Sequence, residues 1–252
     1  MSFEVAPEAY DRFMGRYADP LAVVFADSAG IEAGAKVLDV GCGPGALTAE
    51  LARRVGETSV AAVDPSPPFV AAARKRLPAA DVRQASAEHL PFPDGTFDAA
   101  LAQLVVHFMD DPVRGLGEMA RVVRPGGAVA ACVWNHAGGD GPLSTFWESV
   151  RSLDGEANDE SGLCGVEEGQ LDDLCVQAGL RDIESGRLQV QVTFSTFEDW
   201  WGPFTLGVGP AGAYVAGLGD DARSALRERC AERLPPAPFT LKATAWSVRA
   251  RV

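Results

Sequence analysis

Residues 37–45 read Val-Leu-Asp-Val-Gly-Cys-Gly-Pro-Gly, an apolar β-prone run that breaks into glycines at 41, 43 and 45 and passes directly into a helix-forming segment, residues 46–55. Glycines at such a turn let backbone N–H groups approach a ligand, and the N-terminus of the next helix adds a field that favours an anionic group such as a carboxylate or phosphate. A second apolar run, residues 60–63, ends in Asp64, twenty-three residues beyond Gly41. A carboxylate there can accept hydrogen bonds from both hydroxyls of a ribose. Together these features specify an adenosine-type ligand.

Two ligand classes remain open at this point. Gly41-x-Gly43-x-x-Ala46 satisfies the dinucleotide fingerprint, which would make the chain an NAD-dependent oxidoreductase. Against that stand Asp39, two residues before the first glycine, and Pro44 inside the loop. A carboxylate at a strand tip repels a pyrophosphate but attracts an ammonium group, which favours a nucleoside that carries an amino acid.

Outward from the loop, residues 36–135 alternate short apolar runs with longer amphipathic segments, the pattern of βαβ units around a mostly parallel sheet. The spacing predicts strands at 37–40, 60–63, 82–85, 97–101 and 128–134, with helices at 46–55, 67–77 and 112–124. The third helix is sharply punctuated. Asp110 or Asp111 can cap it, Pro112 suits its first turn, and Val113, Leu116, Ala120 and Val123 form one apolar face. Arg121 and Arg124 fall in its last turn, ahead of Pro125-Gly126-Gly127.

Beyond residue 135 the signals thin. Residues 154–160 read as a solvated loop, 168–178 as a helix stopped by Gly179, 187–194 and 241–252 as strands, and 220–234 as a polar helix. Residues 200–219 carry no charge over about the length a bilayer needs. Six glycines and two prolines in that stretch would break a spanning helix, so it reads as a buried insert or lid. There is no internal repeat.

Composition narrows the partners. With 252 residues the chain suits one large domain at a prior of about 150 residues per domain. Its 22 Lys+Arg against 35 Asp+Glu give a net charge of -13, with no basic stripe to follow a phosphate backbone, so nucleic acid is an unsuited partner. Five cysteines without a C-x-x-C pair fit a reducing, cytoplasmic setting. Glu4, Glu8, Asp11, Arg12, Arg16 and Asp19 leave no basic-then-apolar leader in the first twenty residues.

Taken with VDPSP at 63–67, ASAEHLPFPDGTFD at 85–98 and MARVVRPGG at 119–127, the VLDVGCGPG loop resembles the class I S-adenosylmethionine-dependent methyltransferases, most closely the group acting on small molecules. The resemblance covers roughly Tyr10 to Trp134. It implies an α/β, Rossmann-like, doubly wound seven-stranded sheet, six strands parallel and one antiparallel, in a single domain over 1–252. Within it, residues 1–30 form a helical cap, 31–135 the cofactor-binding core and 195–235 an inserted lid.

By the same resemblance S-adenosylmethionine is the cofactor. Asp39, Gly41, Cys42, Gly43 and Gly45 hold its methionine end, Asp64 its ribose, and Pro65 flanks the adenine. Ser86 stands where many relatives have an aspartate that accepts from the adenine amino group, and the Ala87 backbone adds a contact. Tyr10, Arg16 and Tyr17, in the stretch AYDRFMGRYADP, are candidates for the cofactor carboxylate, unless that helix simply packs its aromatic face on the sheet. Gln103 faces the sulfonium side. A catalytically silent cofactor-binding protein remains a rival reading.

Methyl transfer from a sulfonium is an in-line displacement, so the protein mostly aligns three atoms and excludes water. His107, just after the fourth strand at the carboxyl edge of the sheet, is the best candidate for a general base, the alternative being a histidine that only positions loop or substrate. His136 shares that edge and His89 reads as a surface turn. No histidine spacing suggests a metal. Trp147, Trp200 and Trp201 lie in the variable insertions; they either wall a flat, apolar acceptor or fill the insert's own core. The expected partner is a small-molecule methyl acceptor, with no membrane; the sequence does not specify an oligomeric state.

Overall fold

The computed structural model describes residues 7–155, 157 and 159–252. The first six residues of the expected N-terminal cap, and Glu156 and Asn158 of the expected loop, lie outside them. From the N-terminus the chain forms α1 (Pro7–Tyr10), a π-helical segment (Asp11–Gly15) and α2 (Arg16–Ser28). Then follow β1 (Val37–Val40), α3 (Ala46–Val55), β2 (Val60–Asp64), α4 (Pro67–Arg76) and β3 (Asp81–Gln84). After β4 (Phe97–Gln103) come α5 (Pro112–Val122), β5 (Val123–Trp134), α6 (Ser144–Leu153) and α7 (Gln170–Gln177). The last part holds β6 (Arg181–Phe194), α8 (Phe197–Trp201), α9 (Gly209–Gly217), α10 (Asp220–Arg233) and β7 (Phe239–Arg251).

The seven strands form one sheet in the order β3-β2-β1-β4-β5-β7-β6. Strands β1 to β5 pair in parallel, and β7 runs antiparallel to both β5 and β6. Six strands therefore share one direction and one opposes them. The central strands read as apolar runs because both of their faces are covered. Successive side chains on a strand point to opposite faces. Leu38, Val40, Ala100 and Ala102 accordingly pack with Leu116 and Met119 of α5 and Leu171 of α7. On the opposite face Val37 and Leu101 pack with Phe25 of α2 and Leu47 of α3. Each fully buried side chain of this size contributes about 1.5–3 kcal/mol.

The largest shifts from the sequence reading lie at the junction of α5 with β5 and at the start of β6, and both have physical reasons. Helix α5 ends at Val122, so Arg124 lies not in its last turn but on β5, paired with Asp98 at 2.6 Å. The chain enters the sheet directly after the helix because β4 holds it there: Val123 pairs with Phe97, and a β carbon on Gly127 would stand 2.6 Å from the Asp98 carbonyl. Strand β6 begins six residues earlier than the alternation at 187–194 indicates. Its first half is polar because it is an edge strand, where charge is tolerated, and Glu184 is held by Arg249 of β7 at 3.3 Å.

The uncharged stretch at 200–219 divides into the end of α8, a 3-10 segment (Gly202–Leu206) and α9. No helix among the described residues is long and apolar enough to cross a membrane.

Candidate active site

The site lies at the carboxyl edge of the sheet, where β1 and β4, neighbours in the middle of the strand order, send their loops to opposite sides. Strand β1 ends at Val40 and the chain turns through left-handed Gly41 (φ 72°) and Gly43 (φ 53°). A β carbon on Gly41 would sit 2.4 Å from a methyl of Val105, so only glycine fits there, whereas above Gly43 the space is open. The amides of Gly41 and Cys42 donate to the Val63 carbonyl at 2.8 and 2.9 Å, which ties the loop to the tip of β2.

Asp64 at that tip accepts from the Gly43 amide and the Ser66 amide, both at 2.8 Å. Burial raises its pKa, opposed by those two backbone donors. Beneath the loop, Asp39 is 1% exposed and accepts from the Thr48 hydroxyl of α3 at 2.6 Å through one oxygen. Its other oxygen, Oδ1, has no partner. Burial pushes the Asp39 carboxyl up to about 7, with Thr48 opposing the shift. Across the cavity, Gln103 at the end of β4 donates through Nε2 to the Ala18 carbonyl at 3.1 Å, while its Oε1 is also buried without a partner.

A cavity of about 310 Å³ opens over the loop. Of the residues expected from the sequence, Tyr10, Gly41, Gly43, Asp64, Pro65, Ser86, Ala87 and Gln103 line it. Asp39 stands behind the loop with its free oxygen buried. The Cys42 side chain turns into the cluster of Ala62, Val70, Ala73 and Val82, where burial raises its thiol pKa. Gly45 carries the left-handed cap of α3 and packs toward Ala73 and Arg76 of α4.

Arg16 and Tyr17 do not line the cavity. The Arg16 guanidinium is paired with Asp199 at 2.9 Å, donates to the Asp199 carbonyl and lies over the Phe194 ring at 4.8 Å. Tyr17 packs edge-on against Trp134 and beside Phe194. Both side chains thus join the N-terminal helix to the elements after residue 134. Of the two candidate caps, Asp111 holds α5, accepting from the Arg114 amide at 3.0 Å, while Asp110 lines the cavity.

His107 lies on a 3-10 turn, Val106–Phe108, and is 8% exposed. Its ring packs 4.0 Å from that of Phe108 and 6.2 Å from that of His136. It is Phe108, not His107, that reaches the cavity wall. Burial, aided by His136, lowers the His107 pKa to about 3, and its Nδ1 has no partner. Such an imidazole is neutral throughout the physiological range and a weak base. His136 is held near 4 by burial, and His89 is exposed.

The wall residues that the sequence reading missed are chiefly Phe69, Leu104, Val105, Phe108 and Met109. Phe69 meets Tyr10 edge-on at 5.3 Å. Leu104 adopts φ 63°, a left-handed conformation that bulky residues rarely take, and it sits at the end of β4 on the cavity wall. The available signal was the apolar run 104–109 directly after a strand. The three insert tryptophans are absent from the wall. Trp147 donates to the buried Glu160, and Trp200 and Trp201 pack with Phe197 and Phe204.

Residues 38–131 match the methyltransferase-domain family. An uncharacterized methyltransferase of Mycobacterium tuberculosis is 38% identical over 135 residues, 54% of this chain and 52% of that protein. A phosphatidylethanolamine N-methyltransferase of Cereibacter sphaeroides is 38% identical over 124 residues, 46% of this chain and 59% of that protein. The chain thus aligns with a little over half the length of these relatives. Among solved structures, a putative methyltransferase from Bacillus halodurans superposes with a TM-score of 0.59 at 17% identity, covering 91% of this chain and 97% of that one. The glycine loop and the acidic tip of β2 fall within the matched residues, so it is the half of the chain that carries the cavity's loop that is similar to the methyltransferase-domain family.

Proposed function

We propose that the chain binds S-adenosylmethionine in the cavity over the glycine loop and transfers its methyl group to a small-molecule acceptor. The observation that carries this reading is the pair of buried oxygens without partners, Asp39 Oδ1 and Gln103 Oε1. Unsatisfied buried acceptors cost about 1–3 kcal/mol each, and an ammonium group, three donors and a positive charge, suits them in a way that a pyrophosphate does not.

When bound, the cofactor supplies an electrophilic methyl group on a sulfonium. The chain's own residues do the rest. Asp64 accepts from the ribose hydroxyls, Tyr10 and Phe69 close over the site, and Pro65 and Ala87 flank the base. Ser86 stands where the resemblance implies an aspartate in many relatives, and its shorter side chain holds the adenine amino group less firmly. Leu104, Val105 and Phe108 make the wall apolar and exclude water. His107, neutral and behind Phe108, acts by holding the loop after β4 in place rather than by taking a proton. Residues 195–235 serve as the lid and the run from residue 7 to 28 as the cap.

The experiment is a thermal shift with S-adenosylhomocysteine, S-adenosylmethionine and NADH in parallel, since a ligand that binds only the folded chain raises its Tm. Stabilisation by the two sulfur nucleosides and not by NADH is the expected result. Stabilisation by NADH alone would return the glycine loop to the oxidoreductase reading.

A further inference from the structure

Among the described residues two buried indole donors lack partners: Nε1 of Trp134 and Nε1 of Trp200, each on a residue only 2% exposed. Tryptophans buried at this depth usually find a hydrogen-bond partner, and two orphan indoles in one region call for an explanation. Trp200 lines a narrow cleft between the N-terminal helix, β6 and the 3-10 segment after α8, together with Phe13, Tyr17, Phe194, Pro203 and Phe204. Trp134 stands one ring further in, edge-on to Tyr17 with centroids 6.1 Å apart.

The cleft adjoins the main cavity through one helix. Tyr10 lines the cavity, while Phe13 and Tyr17 on the same helical run line the cleft. Gln103, on the cavity wall, holds the Ala18 carbonyl next to Tyr17. As it stands the cleft has about 10 Å³ of free volume, room for about one water molecule. An occupant therefore needs the cleft to widen, and Pro203 and Phe204 are two of its walls. These two lie in the short 3-10 segment that Gly202 opens and left-handed Gly207 ends.

We infer that the methyl acceptor is a flat apolar molecule bearing a hydrogen-bond-accepting oxygen, a carbonyl or a phenolic oxygen, held in this cleft by the indole N–H of Trp200 with that of Trp134 behind it. The inference rests on the methyltransferase reading above. Aromatic rings line most of the cleft, which fits a planar frame. The unpartnered indole on its wall, that of Trp200, is a donor, and its one cation, Arg16, is already neutralised by Asp199. An ammonium-bearing acceptor would find neither a free acceptor nor a free carboxylate there.

The test is equilibrium dialysis of 2-acetonaphthone against its alkene analogue, 2-isopropenylnaphthalene, with the chain saturated by S-adenosylhomocysteine. The two probes differ only in C=O against C=CH2. The ketone should bind about tenfold tighter, in keeping with one buried hydrogen bond. Trp200→Phe should abolish that preference while leaving alkene binding and S-adenosylhomocysteine affinity unchanged. Trp134→Phe should reduce it less.

Equal binding of ketone and alkene, no saturable binding of either probe, or an undiminished preference in Trp200→Phe overturns the inference. S-adenosylhomocysteine binding is measured separately beforehand by calorimetry. Failure there breaks the methyltransferase reading itself and is not confused with failure of the cleft.

Discussion

The glycine loop with its two aspartates and the aromatic insert after β6 meet opposite demands at the same edge of the sheet. The loop region leaves polar atoms buried and unpaired: Asp39 and Gln103 each hold an oxygen without a donor. The insert buries its rings against one another and against α6, with Trp200 packed on Phe204 at 4.8 Å and Phe204 stacked on Phe146 of α6 at 4.5 Å. The first region forgoes stability at those two oxygens, and the second, apart from the unpaired Trp200 indole, supplies stability through area and close packing. Function and folding energy are thus separable by mutation, and each region should respond to a different assay.

The largest separation should come from Phe146→Ala. Phe146 is fully buried and touches Trp147, Phe204 and Tyr214. Large-to-small changes of this kind cost about 3–5 kcal/mol, so the Tm should fall by about 10 °C for a chain of this length. Affinity for S-adenosylhomocysteine, measured below the new transition, should change little. A loss of affinity as large as the loss of stability would mean that the insert and the loop region are one cooperative site.

Asp64→Ala should show the converse. The carboxylate accepts two backbone amides and faces the cavity. Hydrogen bonds to a charged group are worth about 1.5–3 kcal/mol each, so calorimetry should record a fall in S-adenosylhomocysteine affinity of about 100-fold or more. Undiminished affinity would remove the ribose role.

A pH series sharpens the contrast at Asp39. Burial holds its carboxyl near 7 in the unliganded chain, and pairing with an ammonium requires the ionised form. Below about pH 7 binding must therefore release a proton, so S-adenosylhomocysteine affinity should drop toward tenfold per pH unit between 7 and 5 and stay flat above 7. The variant Asp39→Asn should bind weakly at every pH, with the slope gone. A flat profile in the unsubstituted chain would take Asp39 out of the ammonium site.

The same contrast explains how much was legible in the sequence. Strands β1 and β2, the loop and Asp64 obey local rules: an apolar run, glycines where φ is positive, an acid at a fixed distance. Their positions carried through to the structure, as did the seven-stranded sheet with one opposed strand that the resemblance implied. The limits of α5 and β6 depended on partners far away in sequence, Asp98 for Arg124 and Arg249 for Glu184, and local propensity contains no such information. The tryptophans divided in the same way. Their presence in the insert was visible, but whether they faced a cavity or one another was set by helices α6, α8 and α9 meeting in space. Phe69 and Leu104 on the cavity wall carry no sequence signal of their own, because an apolar wall and an apolar core share one composition.

Arg16 gives the smallest effect. The family resemblance makes it a candidate cofactor contact, yet its guanidinium is held by Asp199 at the start of the insert and lies over Phe194. Both partners are partly exposed, 27% and 35%, so solvent screens the pair and its coupling should be about 0.2–1 kcal/mol in a double-mutant cycle with Asp199→Asn. The single variant Arg16→Gln should lower the Tm by 1–3 °C, by about the worth of such a pair, and change S-adenosylhomocysteine affinity less than threefold, below about 0.7 kcal/mol. A tenfold loss would show that the guanidinium leaves Asp199 when the site fills. Arg16 would then belong to the loop region instead of the insert, and Asp199→Asn, by freeing it, should tighten binding.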